Sequence, residues 1–138
     1  MDRILLSRPI YLQIVRHVTQ AAPMEAVGII GGLANGRAHS VIEMPNLAGP
    51  HEFFADPFAQ YQAERRFSRE GLSVIAIYHS HPGGGTTLSD ADRMGGARWN
   101  CSHIVIVPER SPDSPDYLRA WRISEDRTIE VPVVREIR

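Results

Sequence analysis

The stretch Ser73–Asp92, SVIAIYHSHPGGGTTLSDAD, decides how the rest of the chain reads. Ser73 to Tyr78 is an apolar run that begins just after Gly71, and such a run reads as a central strand, apolar on both faces. It leads directly into His79-Ser80-His81-Pro82 and three glycines, Gly83 to Gly85, before Ser89 opens a helix reaching about Arg98. Side chains on a strand alternate in direction, so His79 and His81 project to the same side if the strand continues through them. Two imidazoles then converge on one point.

Toward the N-terminus, Ile10, Ile14, Val15 and Val18 recur at helical spacing behind Pro9, which predicts a helix over 9–21 that Pro23 stops. Glu25 to Leu33 (EAVGIIGGL) reads as a buried strand carrying glycines, and Asn35-Gly36 turns the chain into a second strand over about Arg37 to Glu43. The proline-rich stretch Pro45 to Pro57 is a loop, anchored to the core by Phe53 and Phe54. A helix follows from Pro57 to Glu70, ended by Gly71. Beyond the quoted stretch, strands are predicted over His103 to Val107, Tyr117 to Ile123 and Thr128 to Val134. Pro108 to Asp116 (PERSPDSPD) is a solvated loop between the first two. Strands and helices interleave with at least one antiparallel hairpin, so the fold class is α/β (α+β), a mixed sheet flanked by helices around one core.

The chain has 138 residues, 43% hydrophobic and 22% charged, which fits one compact domain over residues 1–138. Fifteen basic and sixteen acidic residues leave a net charge of −1, so no positive field is available to draw in DNA or RNA. Every basic residue is arginine, which excludes a P-loop, a Schiff base or a Ser–Lys dyad. The single cysteine, Cys101, forms neither an intramolecular disulfide nor a cysteine-only zinc site, and reads as a small apolar core residue. No apolar run approaches the ~20 residues that cross a bilayer, and no signal pattern opens the chain. A soluble, cytoplasmic protein with no membrane partner is expected.

Zinc with nitrogen and oxygen ligands prefers four-coordinate geometry, and catalytic sites commonly use three protein ligands with water in the last position. Asp92 is the candidate third ligand, because the glycine-rich turn allows the chain to reverse and bring the next helix over the strand's end. Ser89 lies one turn earlier on the same helix face. Glu25, at the head of the other buried strand, is the candidate general base. Each residue also has a structural reading: the histidines as ordinary strand-end residues, Ser89 to Asp92 as a helix capping box, Glu25 as a solvated strand entrance. His17, His39, His51 and His103 lack ligand spacing to one another and read as surface or core residues. Arg65, Arg66 and Arg69 read as a solvated helix face.

Taken together, Glu25 before an apolar strand, His79-Ser80-His81, seven further residues, Ser89, two more and Asp92 resemble the signature of the JAMM, or MPN-plus, zinc metalloprotease family. Pro45-Asn46, Phe54-Ala55-Asp56-Pro57 and Leu118-Arg119-Ala120-Trp121 are similar to further family segments, so the likeness runs from about Glu25 to Ile123. The resemblance implies a cytidine-deaminase-like/MPN architecture with a curved mixed sheet. It also implies Zn2+ on His79, His81 and Asp92, with Glu25 polarising the attacking water and Ser89 binding the oxyanion. Family members cut after the Gly-Gly tail of ubiquitin-like proteins, and small prokaryotic relatives act on sulfur-carrier proteins or their conjugates. A peptidase or isopeptidase with such a tail as substrate is therefore expected; homodimer formation stays open.

Two features depart from the family pattern. The three glycines after His81 imply a loosely held segment, and the chain is too short for the extra segments with which eukaryotic relatives grip ubiquitin. The competing class is a non-catalytic MPN scaffold, against which all five polar residues argue. A DNA-repair-associated family shares a similar pattern, but the neutral charge and missing lysines weigh against a nucleic-acid partner.

Overall fold

The structure, a computed structural model, describes residues 3–45, 57–87, 101–124 and 127–136. In chain order its elements are β1 (Ile4–Leu6), α1 (Arg8–Ala21), β2 (Val27–Gly32), β3 (Ala38–Met44) and α2 (Pro57–Arg69). They continue with β4 (Ser73–Ser80), β5 (Ser102–Ile106), β6 (Leu118–Ser124), β7 (Arg127–Val131) and β8 (Val133–Arg135). Six strands form one mixed sheet in the order β3-β2-β4-β5-β6-β7, antiparallel throughout except for the β4–β5 pair. β1 and β8 pair in parallel as a separate two-stranded sheet. Among the described residues no helix is long and apolar enough to cross a membrane.

The helices take opposite faces of the sheet. Helix α1 begins at a proline suited to its first turn and presents Ile14 and Val18 to a core with Ile30, Val41, Tyr78, Ile104 and Ala120. Helix α2 presents Ala63 and Phe67 to Val27, Ile29 and Met44. Consecutive β2 residues thus serve different cores, which explains why VGIIGG is buried at every position rather than alternating. Each fully buried Ile or Phe contributes roughly 1.5–3 kcal/mol.

Two expectations change in detail. The predicted last strand divides at Pro132, which has no N–H to continue the ladder: Arg127–Val131 stays in the main sheet and Val133–Arg135 turns to β1. Strand β1 was not expected, since Ile4–Leu6 offers too short an apolar run to signal a strand without its partner. The expected loop 45–57 falls almost entirely outside the described residues, Phe53 and Phe54 included, as does the expected helix from Ser89 to Arg98. Cys101 is buried, and that burial pushes its thiol up to about 12, in keeping with a packing role.

Glycines in β2 make room for aromatic rings. A Cβ on Gly28 would stand 2.1 Å from Cζ of Tyr78, its cross-strand partner, and one on Gly31 would meet the Phe67 ring at 2.6 Å. The Tyr78 hydroxyl reaches the Nδ1 of His17 on α1 at 2.5 Å, while His17 Nε2 faces Glu43 at 3.8 Å. Burial raises the Tyr78 pKa, so the phenol keeps its proton to donate. Burial also lowers the His17 pKa, against the opposing pull of Glu43, so Nδ1 stays free to accept.

Two outcomes follow for stability. Gly28→Ala is expected to cost about 3 kcal/mol by overpacking, a fall of roughly 10 °C in Tm measured by thermal unfolding. For His17, the unfolded chain binds a proton more readily than the folded one, so its contribution is complete above about pH 6.5 and fades as pH falls below it. His17→Gln is expected to lose part of the decline in Tm that the parent shows between pH 7.5 and 5.5.

Candidate active site

The site lies where β2 begins and β4 ends. In the antiparallel β2–β4 ladder Val27 pairs with His79, so both side chains project to the α2 face. Glu25 and His81 lie just beyond these strand ends, two residues before Val27 and two after His79. Between the histidines, Ser80 points the other way and locks the junction: its N–H donates to the Ala26 carbonyl at 3.0 Å, and its Oγ accepts the Ala26 N–H at 2.8 Å. Strand β4 therefore does continue as far as Ser80, two residues beyond the apolar run. It stops one residue short of His81, so the condition for strict alternation through both histidines is not met, yet the two rings lie close together.

Glu25 is 4% exposed and His79 1%, whereas His81 is only partly buried. A carboxylate in such a position is costly unless its surroundings compensate it, which sets Glu25 apart from a solvated strand entrance. The His79 and His81 rings stand perpendicular with centroids 5.4 Å apart. Two imidazoles bound to one tetrahedral zinc at ~2.0–2.1 Å through ring nitrogens would have centroids about 5 Å apart, so this pair fits a shared ion. His81 Nδ1 meets the Gly85 carbonyl at 3.1 Å. Because the carbonyl only accepts, Nδ1 carries the proton and Nε2 keeps the lone pair, the arrangement that prepares a histidine to ligate.

The glycine run after His81 is held more firmly than the sequence suggests. Gly84 N–H donates to the His81 carbonyl at 2.9 Å, and Gly83 N–H donates to Glu109 Oε2 at 2.7 Å. The Trp121 indole N–H donates to the Thr86 carbonyl at 2.7 Å. Gly83 adopts φ +73°, where a side chain would be strained.

Ser89 and Asp92 lie outside the described residues. Among the described residues no group of three or more His, Cys, Asp or Glu side chains gathers to hold an ion. Glu25 and the two histidines form no such group. His103, read from sequence as an ordinary residue, is buried on β5 on the same face as His79, in register with Ile77 and Trp121. No periodicity in the sequence signals that neighbourhood, because it depends on the parallel β4–β5 pairing. Arg65, Arg66 and Arg69 are exposed on α2, as expected.

Known proteins share this architecture. A solution structure from Desulfitobacterium hafniense superposes with a TM-score of 0.81 at 24% identity, covering 96% of this chain and 92% of that one. A JAB1/MPN domain protein from Archaeoglobus fulgidus gives 0.65 at 18% identity, covering 97% and 100%. In sequence, a probable TtuB-protein conjugate cleaving protease of Thermus thermophilus is 32% identical over 120 residues, 86% of this chain and 74% of the relative. A desampylase of Pyrococcus furiosus is 28% identical over 127 residues, 91% and 86% respectively. Fold and relatives together define a JAB-type hydrolase. Residues 7–124 match the family described as prokaryotic homologs of the JAB domain, and the chain belongs to that family.

The Ser80 hydroxyl is the fastening on which the site's geometry turns. Ser80→Ala leaves a buried Ala26 N–H without its acceptor, at an expected cost of about 1–3 kcal/mol, read as a lower urea midpoint with unchanged slope.

Proposed function

We propose that residues 1–138 form a zinc-dependent isopeptidase domain that hydrolyses the amide bond following the Gly-Gly tail of a ubiquitin-like or sulfur-carrier protein. The observation that carries this reading is the perpendicular, closely spaced His79–His81 pair at the end of the β2–β4 ladder where the buried Glu25 also lies. The relatives add the substrate class, since one is named for cleaving TtuB–protein conjugates and the other as a desampylase. A single buried thiol suits a reducing cytoplasm.

In this reading His79, His81 and Asp92 hold the zinc. Bound there, zinc would supply Lewis acidity, lowering the pKa of water toward neutrality and polarising a carbonyl. Glu25 takes the proton of the attacking water on its carboxylate and returns it to the departing amine. Burial keeps that carboxylate out of bulk solvent, so the proton is handed on within the site. The Ser89 hydroxyl donates to the oxygen on which negative charge develops, a contribution of roughly 3 kcal/mol for one such donor. His81, oriented by the Gly85 carbonyl, stands at the more open side of the pair.

The test offers zinc-loaded protein a panel of Gly-Gly-ended carriers, extended by one amino acid or joined through a lysine side chain, with release followed by mass spectrometry. Cleavage is expected for at least one member, with Glu25→Ala slower by about 10²–10⁴-fold while still binding zinc. His79→Ala is expected to lose both metal and activity. A parent protein that takes up no zinc and cleaves nothing would leave the scaffold reading in its place.

A further inference from the structure

The Pro82–Thr86 turn has little within itself to hold it. Three of its five residues are glycine, which loses more backbone freedom on ordering than any other residue. Two of those glycines resist replacement by anything that would brace the turn: Gly83 needs φ +73°, and a Cβ on Gly84 would stand 2.9 Å from His81 Nδ1. The bracing comes from outside. Glu109, on the β5–β6 connection, accepts the Gly83 N–H at 2.7 Å, and Trp121, on β6, donates to the Thr86 carbonyl at 2.7 Å. These fastenings sit toward either end of the turn, and between them the Gly85 carbonyl meets His81 Nδ1 at 3.1 Å.

We propose that Glu109 is a positioning residue of the active site. With the Trp121 indole it clasps the Pro82–Thr86 turn, keeping the Gly85 carbonyl against His81 so that Nδ1 holds the proton and Nε2 faces the metal position. The carboxylate acts as a hydrogen-bond acceptor for a backbone amide, so glutamine serves in its place and alanine does not. The inference rests on the assignment of His81 as a zinc ligand. Its own contribution is that the ligand's orientation is set from the β5–β6 connection, far along the chain.

The experiment measures zinc affinity by chelator competition for the parent, Glu109→Ala, Glu109→Gln and Trp121→Phe. Alongside, the His81 side-chain nitrogen resonances of the metal-free proteins report which ring nitrogen is protonated. Glu109→Ala and Trp121→Phe are expected to weaken zinc binding roughly tenfold, the lower end of the loss usual for groups that orient a ligand. Both are expected to move His81 from the Nδ1-protonated form toward a mixture of tautomers, while Glu109→Gln stays within about twofold of the parent. Thermal melts check that each variant is folded. Parent-like affinity and an unchanged His81 tautomer in Glu109→Ala would overturn the proposal, as would a glutamine variant as impaired as the alanine one. If His79→Ala and His81→Ala bind zinc as the parent does, the metal assignment itself fails. The tautomer readout in metal-free protein then still decides whether the clasp exists.

Discussion

The antiparallel register between β2 and β4 is the constraint on which the rest of the site depends. Side chains along a strand alternate strictly, so a slip of one residue would carry Val27 to the α1 face and leave His79 on the α2 face. Several features oppose such a slip. Tyr78 needs a glycine opposite it, and Gly28 is there; Phe67 needs a second one, and Gly31 is there. A shift between Ile30 and Gly31 takes up an irregularity at the far end of the ladder from the site, so the Val27–His79 end remains regular. Ser80 then closes that end with two hydrogen bonds to one residue, Ala26.

The same alternation divides labour between neighbouring residues. Tyr78 fills the α1 core and hydrogen-bonds His17, while His79, the next residue, belongs to the α2 face and the site. The α1 side behaves as a conventional core, with Ile14, Val18, Ile30 and Ile104 all fully buried. The α2 side has a smaller apolar cluster around Phe67, and beyond it the face becomes polar at His79 and His103, with Glu25 buried just before β2. A buried carboxylate and two buried imidazoles are a poor choice for stability, since each needs compensation that an apolar residue would not. Their grouping is better understood from chemistry than from folding.

Much of this was legible in the chain. The periodicity of Ile10, Ile14 and Val18, the Asn35-Gly36 turn and the apolar run into His79 place α1, the β2–β3 hairpin and β4 within a residue or two of their observed bounds. These signals are local, and local signals survive without a partner. The parallel β1–β8 pair was not legible because each strand has three residues and exists only through contact with the other end of the chain. The contacts of Glu109 and Trp121 with the Pro82–Thr86 turn were not legible for a related reason, although Trp121 lies in a segment similar to one of the family's. One sits in a loop whose composition announces only solvation, and the other in a strand whose pattern announces only burial. Their bearing on His81 comes from a crossing of distant segments that no spacing encodes.

That crossing also explains how two histidines only two residues apart come to be held by different means. His79 is fixed by the sheet: it lies within β4, nearly inaccessible, flanked by Val27 and Val105 on the neighbouring strands. His81 has left the sheet, keeping only the bond from its N–H to the Ile106 carbonyl at 2.7 Å, and its ring is oriented by a turn rather than by packing. His81 is partly accessible where His79 is not. A turn built from glycines presents backbone with little side-chain bulk beside it. The cost is that glycines order poorly on their own, and order at His81 must then be imported from Glu109 and Trp121. Low side-chain bulk and external bracing are two consequences of the same composition.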